Sequence, residues 1–168
     1  MLAVMTFLEA VEVYFRGEKH TGLALVPVGI AFAGAGYYFW RVYGGGLGKG
    51  FGIPLLFAGV LAIAGGGILW KTVDARQGRL TGAHAADPAA PVAEEVARMD
   101  KVNANWPVLK YSWAALTVIA LGLMLFVARD WVRGVALAVI VLCAVALVID
   151  TFAERRAHIY SERIARPT

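Results

Sequence analysis

Charge is scarce in this 168-residue sequence, and it is missing altogether from most of four long stretches. Only 17% of residues are charged, while 60% are apolar and the mean hydropathy is +0.66. Ordinary soluble domains hold about a quarter charged residues. A chain with so little polar surface cannot cover its apolar side chains in water. That excludes a soluble globular domain and a disordered chain. Cysteine is nearly absent too. Cys143 stands alone inside an apolar run, so no intrachain disulfide framework is available. Serine occurs twice, as Ser112 and Ser161, and neither sits in a nucleophile motif. The three histidines, His20, His84 and His158, are far apart and form no i,i+3 or i,i+4 pair of the kind helical ligands use. Neither a metal nor a cofactor is expected, and no catalytic residue is assigned.

What the chain does have is four apolar runs, at residues 22–40, 51–70, 111–128 and 131–149. A bilayer core needs about 20 apolar residues as a helix. None of the four contains Asp, Glu, Lys, Arg or His, apart from Arg133 at the mouth of the fourth. Aromatic residues gather at their ends: Tyr37, Tyr38, Trp40, Phe51, Trp70, Tyr111, Trp113 and Trp131. Such rings favour the headgroup level. The reading is an all-α polytopic membrane protein, one membrane domain over residues 1–168. Four transmembrane helices form two hairpins, joined by a cytoplasmic segment at 71–110 and followed by a cytoplasmic tail at 150–168. Twelve of the 16 Lys and Arg residues fall on the side holding both termini and the middle segment. By the positive-inside rule that side is cytoplasmic, in a bacterial-type inner membrane. The net charge of +4 and pI near 9.4 follow from this flanking, so no nucleic-acid partner is inferred.

Outside the spans the pattern is amphipathic. Met1, Val4, Met5, Leu8, Val11 and Phe15 recur at helical spacing, opposite Glu9, Glu12 and Arg16. This predicts a helix along the inner membrane surface or packed on the protein's own cytoplasmic helices. With Glu9 and Glu12 ahead of Arg16, these residues do not read as a secretory signal. Residues 81–91, TGAHAADPAAP, read as a loop. Pro91 suits the first position of a helix carrying Val92, Val96, Met99 and Trp106 on one face, with Glu94 and Arg98 spaced for an ion pair. Pro107 should kink or break the chain before the third span. The tail reads as a helical extension with Ala153, Ala157, Tyr160 and Ile164 on one face.

The Gly-rich segment 44–50 lacks the first Gly and the Ser or Thr of a phosphate-binding loop, and reads as a hairpin turn. Small residues also line the first two spans. Gly29 with Ala33, and Ala58 with Ala62 and Gly66, form ridges that let helix backbones approach closely in lipid. The two halves repeat the order of their elements. Trp70–Arg76 aligns with Ile149–Arg155, matching Thr72 to Thr151 and Arg76 to Arg155.

Carboxylates and guanidiniums collect where the spans leave the membrane: Glu12, Arg16, Asp74, Arg76, Glu154, Arg155 and Arg156. They predict either an ion-pair network or a surface for lipid headgroups or a partner. Intramembrane charge, the usual mark of coupled transport, is absent. The function expected is therefore non-catalytic interaction with another membrane protein or with a second copy, as a homodimer. The roles that fit are accessory subunit, assembly factor, or immunity protein against a membrane-targeted toxin. The alternatives are a small oligomeric channel or exporter of a hydrophobic solute and, further off, an interfacial lipid-headgroup enzyme.

Overall fold

The computed structural model describes residues 6–165, and every element among them is helical. Helix α1 (Phe7–Tyr38) ends in a π-helical turn (Phe39–Tyr43), and α2 (Gly45–Ala86), α3 (Ala89–Phe126) and α4 (Asp130–Ile164) follow. All four are long and apolar enough to cross a membrane. The shortest, α1, has 32 residues. At 1.5 Å per residue it is about 50 Å long, roughly 20 Å more than a bilayer core. Each helix therefore has a part long and apolar enough to span and a polar extension beyond it. The extensions gather at one end of the molecule, the charged end; the short connections at Gly44 and at 127–129 lie at the other.

The structure extends the expected elements in three places. The N-terminal segment is not a separate helix, and its Val11 and Phe15 pack in a core with residues of α2, α3 and α4. It runs without a break into the first span, opened by a capping box in which Thr6 and Glu9 bond each other's backbone N–H. The part of that pattern on Met1, Val4 and Met5 lies outside the described residues. Most of the expected loop at 81–91 is helix. Leu80 is buried, the alanines after it favour helix, and the chain turns only at Asp87 and Pro88, where Asp87 Oδ1 accepts from Ala89 N–H at 3.0 Å. Pro91 is the third residue of α3, still in the first turn where no N–H partner is needed. In the segment 44–50, read as a hairpin turn, the turn itself is confined to Gly44 and Gly45, with φ of 69° and 67°, and α2 already begins at Gly45. Prolines 27, 54 and 107 all sit inside helices, which membrane helices tolerate when neighbouring groups take up the freed carbonyls.

The two ends of the bundle are held by different forces. In lipid, apolar side chains gain little from meeting one another, and close packing has to drive association. Here α1 and α2 meet through glycines spaced seven apart, so that Gly22, Gly29 and Gly36 face Gly66, Gly59 and Gly52 in antiparallel order. A Cβ on Gly29 would lie 2.7 Å from the Gly59 carbonyl oxygen, and one on Gly52 would lie 2.5 Å from that of Gly36. Of the ridge residues read from sequence, Gly29 and Gly66 lie in this seam. The Ala33 backbone touches it opposite Gly59, and Ala58 and Ala62 flank it half-buried. Glycines 50 and 134 bring α2 and α4 together in the same way, while α3 packs mainly on α4. The charged end, by contrast, has a water-type hydrophobic core fed by all four helices: Val11, Tyr14 and Phe15; Val73 and Leu80; Met99; Ala157, Tyr160 and Ile164. Burying such side chains stabilises by about 1.5–3 kcal/mol each.

Candidate functional site

Glu95 lies inside that core. It falls on the stripe Pro91, Glu95, Met99, whose spacing of four keeps all three on the buried face of α3. It is 1% exposed, the one charged residue buried to that degree among those described. A buried carboxylate is tolerated only with partners, and Glu95 has three. Arg98, one turn along, donates from Nε to Oε2 at 2.9 Å and from Nη2 to Oε1 at 2.5 Å, a two-point clamp. The Tyr160 hydroxyl of α4 donates to Oε1 at 3.2 Å. Arg76 of α2 reaches Oε2 from Nη2 at 3.4 Å, at the long end of the range. Tyr14 of α1 stacks on Tyr160 with centroids 4.3 Å apart and planes 13° apart.

The electrostatics follow from these contacts. Burial, reinforced by the charge of Glu95 and the hydrogen bond to it, pushes the Tyr160 hydroxyl well above the ordinary tyrosine value of 10.0. Burial and then Glu18 raise Tyr14 as well. Burial disfavours the charge on Arg98, but the hydrogen bonds and charge of Glu95 outweigh it and raise its pKa. Both hydroxyls therefore stay protonated, which keeps the Tyr160 proton available to Glu95. With its carboxylate oxygens occupied, Glu95 has no open approach for a substrate. The arrangement is a clasp that draws α2, α3 and α4 together.

Ion pairs complete the circuit around it. Lys19 pairs with Asp74 and joins α1 to α2. Arg79 pairs with Glu94 at 3.0 Å and joins α2 to α3. Lys110 pairs with Glu154 at 2.5 Å, and Trp113 Nε1 donates to Asp150 at 2.8 Å, joining α3 to α4. Arg156 donates to Glu18 at 3.2 Å and to the Thr21 hydroxyl at 2.7 Å, joining α4 to α1. Gly17 leaves room for that arginine, since a Cβ there would lie 2.7 Å from Arg156 Cδ.

The residues singled out from sequence are thus dispersed among several contacts. Glu12 and Arg16 pair with each other on an exposed face. Asp74 takes Lys19 rather than Arg76, and Arg76 takes Glu95. Glu154 takes Lys110, with His158 at 3.8 Å. Arg155 is exposed, and Arg156 is the one that turns inward. The aligned threonines do behave alike, each donating to the carbonyl four residues back, but the aligned arginines do not. Glu94 and Arg98 do not pair as their spacing suggested, because Arg98 turns to the buried Glu95 and leaves Glu94 to Arg79. Glu95 and Tyr14 are not singled out by the sequence, and Arg98 and Tyr160 are read there in other roles, as a partner of Glu94 and as part of the apolar face of the tail. The available signal was an acidic residue in the apolar stripe that also carries Met99 and Trp106. No group of His, Cys, Asp or Glu among the described residues is arranged to hold a metal.

No protein family, curated protein or solved structure matches this chain.

Proposed function

We propose that this chain is a non-catalytic inner-membrane protein that works by binding another membrane protein or a second copy of itself. Accessory subunit, assembly factor and immunity protein against a membrane-targeted toxin are the roles that fit. In this reading α1 with α2 and α3 with α4 are two membrane hairpins, and the amphipathic extensions and both termini are cytoplasmic.

The observation that carries it is the state of α3. Its charged end is fixed by the clasp, yet from Tyr111 to Phe126 only Ala120 is buried. Ala115 and Gly122 are seven residues apart on α3, the spacing α1 and α2 use against each other, and a Cβ at Gly122 would meet nothing within 4 Å. Seven residues are close to two helical turns, so both lie on one face. Small side chains at this spacing permit close helix contact in lipid. That is where a helix from a partner or from a second copy would dock. Glu95 itself, 1% exposed and bonded at both carboxylate oxygens, acts as a structural clasp, which supports a binding role over catalysis.

Gly122→Leu tests this. A Cβ at this position meets nothing within 4 Å in the chain, so melting in detergent should hold while the associated species seen by cross-linking in intact membranes disappears. Unchanged association would overturn the proposal.

A further inference from the structure

Beside the Glu95 clasp a cleft of about 510 Å³ opens between α1, α2 and α3. Arg76, Arg79 and Arg98 all line it, with Tyr14, Thr72 and Glu18. Three guanidiniums on one cleft repel one another unless anions lie between them. The acidic groups within reach are already committed. Arg98 clamps Glu95 at two points, and Arg156 holds Glu18 from outside the cleft. Arg76 is left with one long contact to Glu95, and its Nε is buried without a partner. Arg79 has only Glu94, and both side chains of that pair are more than 60% exposed. An exposed pair of this kind is weak and readily exchanged. The cleft therefore holds two arginines with spare donors, three residues apart on one face of α2.

We infer that this cleft binds a phosphate group, with Arg76 and Arg79 as its principal donors. Phosphate is the anion whose several oxygens match the fork of a guanidinium, which carboxylate side chains here do not fully occupy. The position suits two sources of it. Leu69 lines the cleft, and Arg76 lies six residues beyond Trp70, about 9 Å along the helix from the end of the second apolar run. A lipid headgroup phosphate would enter from the membrane side and a soluble phosphate from the water. Neither route depends on the partner proposed for α3.

The test uses the whole chain in phosphate- and sulfate-free buffer. Inorganic phosphate is titrated against protein in maltoside micelles, with potassium chloride at equal ionic strength as the blank. Retention of phosphatidylglycerol over phosphatidylcholine is measured by native mass spectrometry from nanodiscs holding both. Saturable phosphate binding in micelles assigns the soluble source, and selective phosphatidylglycerol retention without it assigns the headgroup. Arg79→Gln should weaken whichever binding is seen by about tenfold, the worth of one charge-assisted hydrogen bond. Glu94→Gln removes the competing carboxylate and should leave binding equal or tighter. The inference is overturned if neither probe binds, if Arg79→Gln binds as well as the parent, or if Glu94→Gln weakens binding as Arg79→Gln does. That last result would mean the pair merely holds the walls of the cleft.

Discussion

Alanine at Gly29 should loosen the membrane part of the molecule, while alanine at Gly34, five residues along the same helix, should not. The new Cβ at Gly29 would stand 2.7 Å from the Gly59 carbonyl oxygen and from Ile63 Cγ1, and 2.9 Å from the Ile63 backbone nitrogen. Ordinary contact begins at 3.4 Å, so α1 and α2 must separate locally by about 0.7 Å. Backbone atoms cannot swing aside as a flexible side chain can. Overpacking of this kind costs about 1–3 kcal/mol. The better helix propensity of alanine returns about 0.5–1 kcal/mol, leaving a net loss of about 1 kcal/mol at mid-range. At Gly34 a Cβ meets nothing within 4 Å, so only the propensity gain applies and stability should hold or rise. Thermal unfolding in one detergent, followed by the loss of the monodisperse peak on size exclusion, compares the two. The double variant Gly29→Ala/Gly59→Ala should cost less than the sum of its singles, because helices already separated admit the second methyl cheaply. Equal melting of Gly29→Ala and Gly34→Ala would refute the close-approach reasoning for the seam.

At the clasp, Glu95→Ala should destabilise by about 2–3 kcal/mol in the same unfolding assay. It strands Arg98, which is only 22% exposed, without its carboxylate. The double variant Glu95→Met/Arg98→Met should recover most of that loss, since replacing a buried pair by apolar side chains is often neutral. Raising the pH should also destabilise the charged end. Tyr160 and Tyr14 ionise above 10.0 in the folded chain, so once the pH passes 10.0 the unfolded state sheds protons that the folded state retains, and stability falls. Tyr160→Phe should flatten that fall in a melting series from pH 8 to about 11. Reporter fusions should place position 85 and the C-terminus in the cytoplasm and position 46 outside.

The spanning helices were legible because each apolar run is longer than a soluble core needs and nearly free of charge. Their continuity was not. The rules that end soluble helices at Pro107 or across Thr81–Ala86 are local, and here the buried Leu80 and Met99 and the half-buried Trp106 hold the helix through weak points. The glycines at 44–50 carried the composition of a loop, yet Gly48 and Gly50 serve as contact points for Phe39 and Trp131. The small-residue ridges were sought at a spacing of four, whereas the observed seam recurs at seven, the spacing that stays on one face over several turns. Most of the charged end was hidden. Which carboxylate meets which guanidinium depends on how four helices converge, and helix spacing alone favoured local pairs such as Glu94 with Arg98. Glu95 wins that arginine because the buried face strengthens the interaction and leaves it no water to compete.

The most direct test of binding through α3 is a photoreactive side chain placed at position 122 and irradiated in native membranes. The expected result is a discrete protein adduct, at twice the chain mass for a second copy or at a fixed larger mass for another protein. The same probe at position 34, where α1 also has open space, should give lipid adducts alone. Lipid adducts alone at position 122 as well would contradict the proposal that this protein acts by docking a membrane partner on α3.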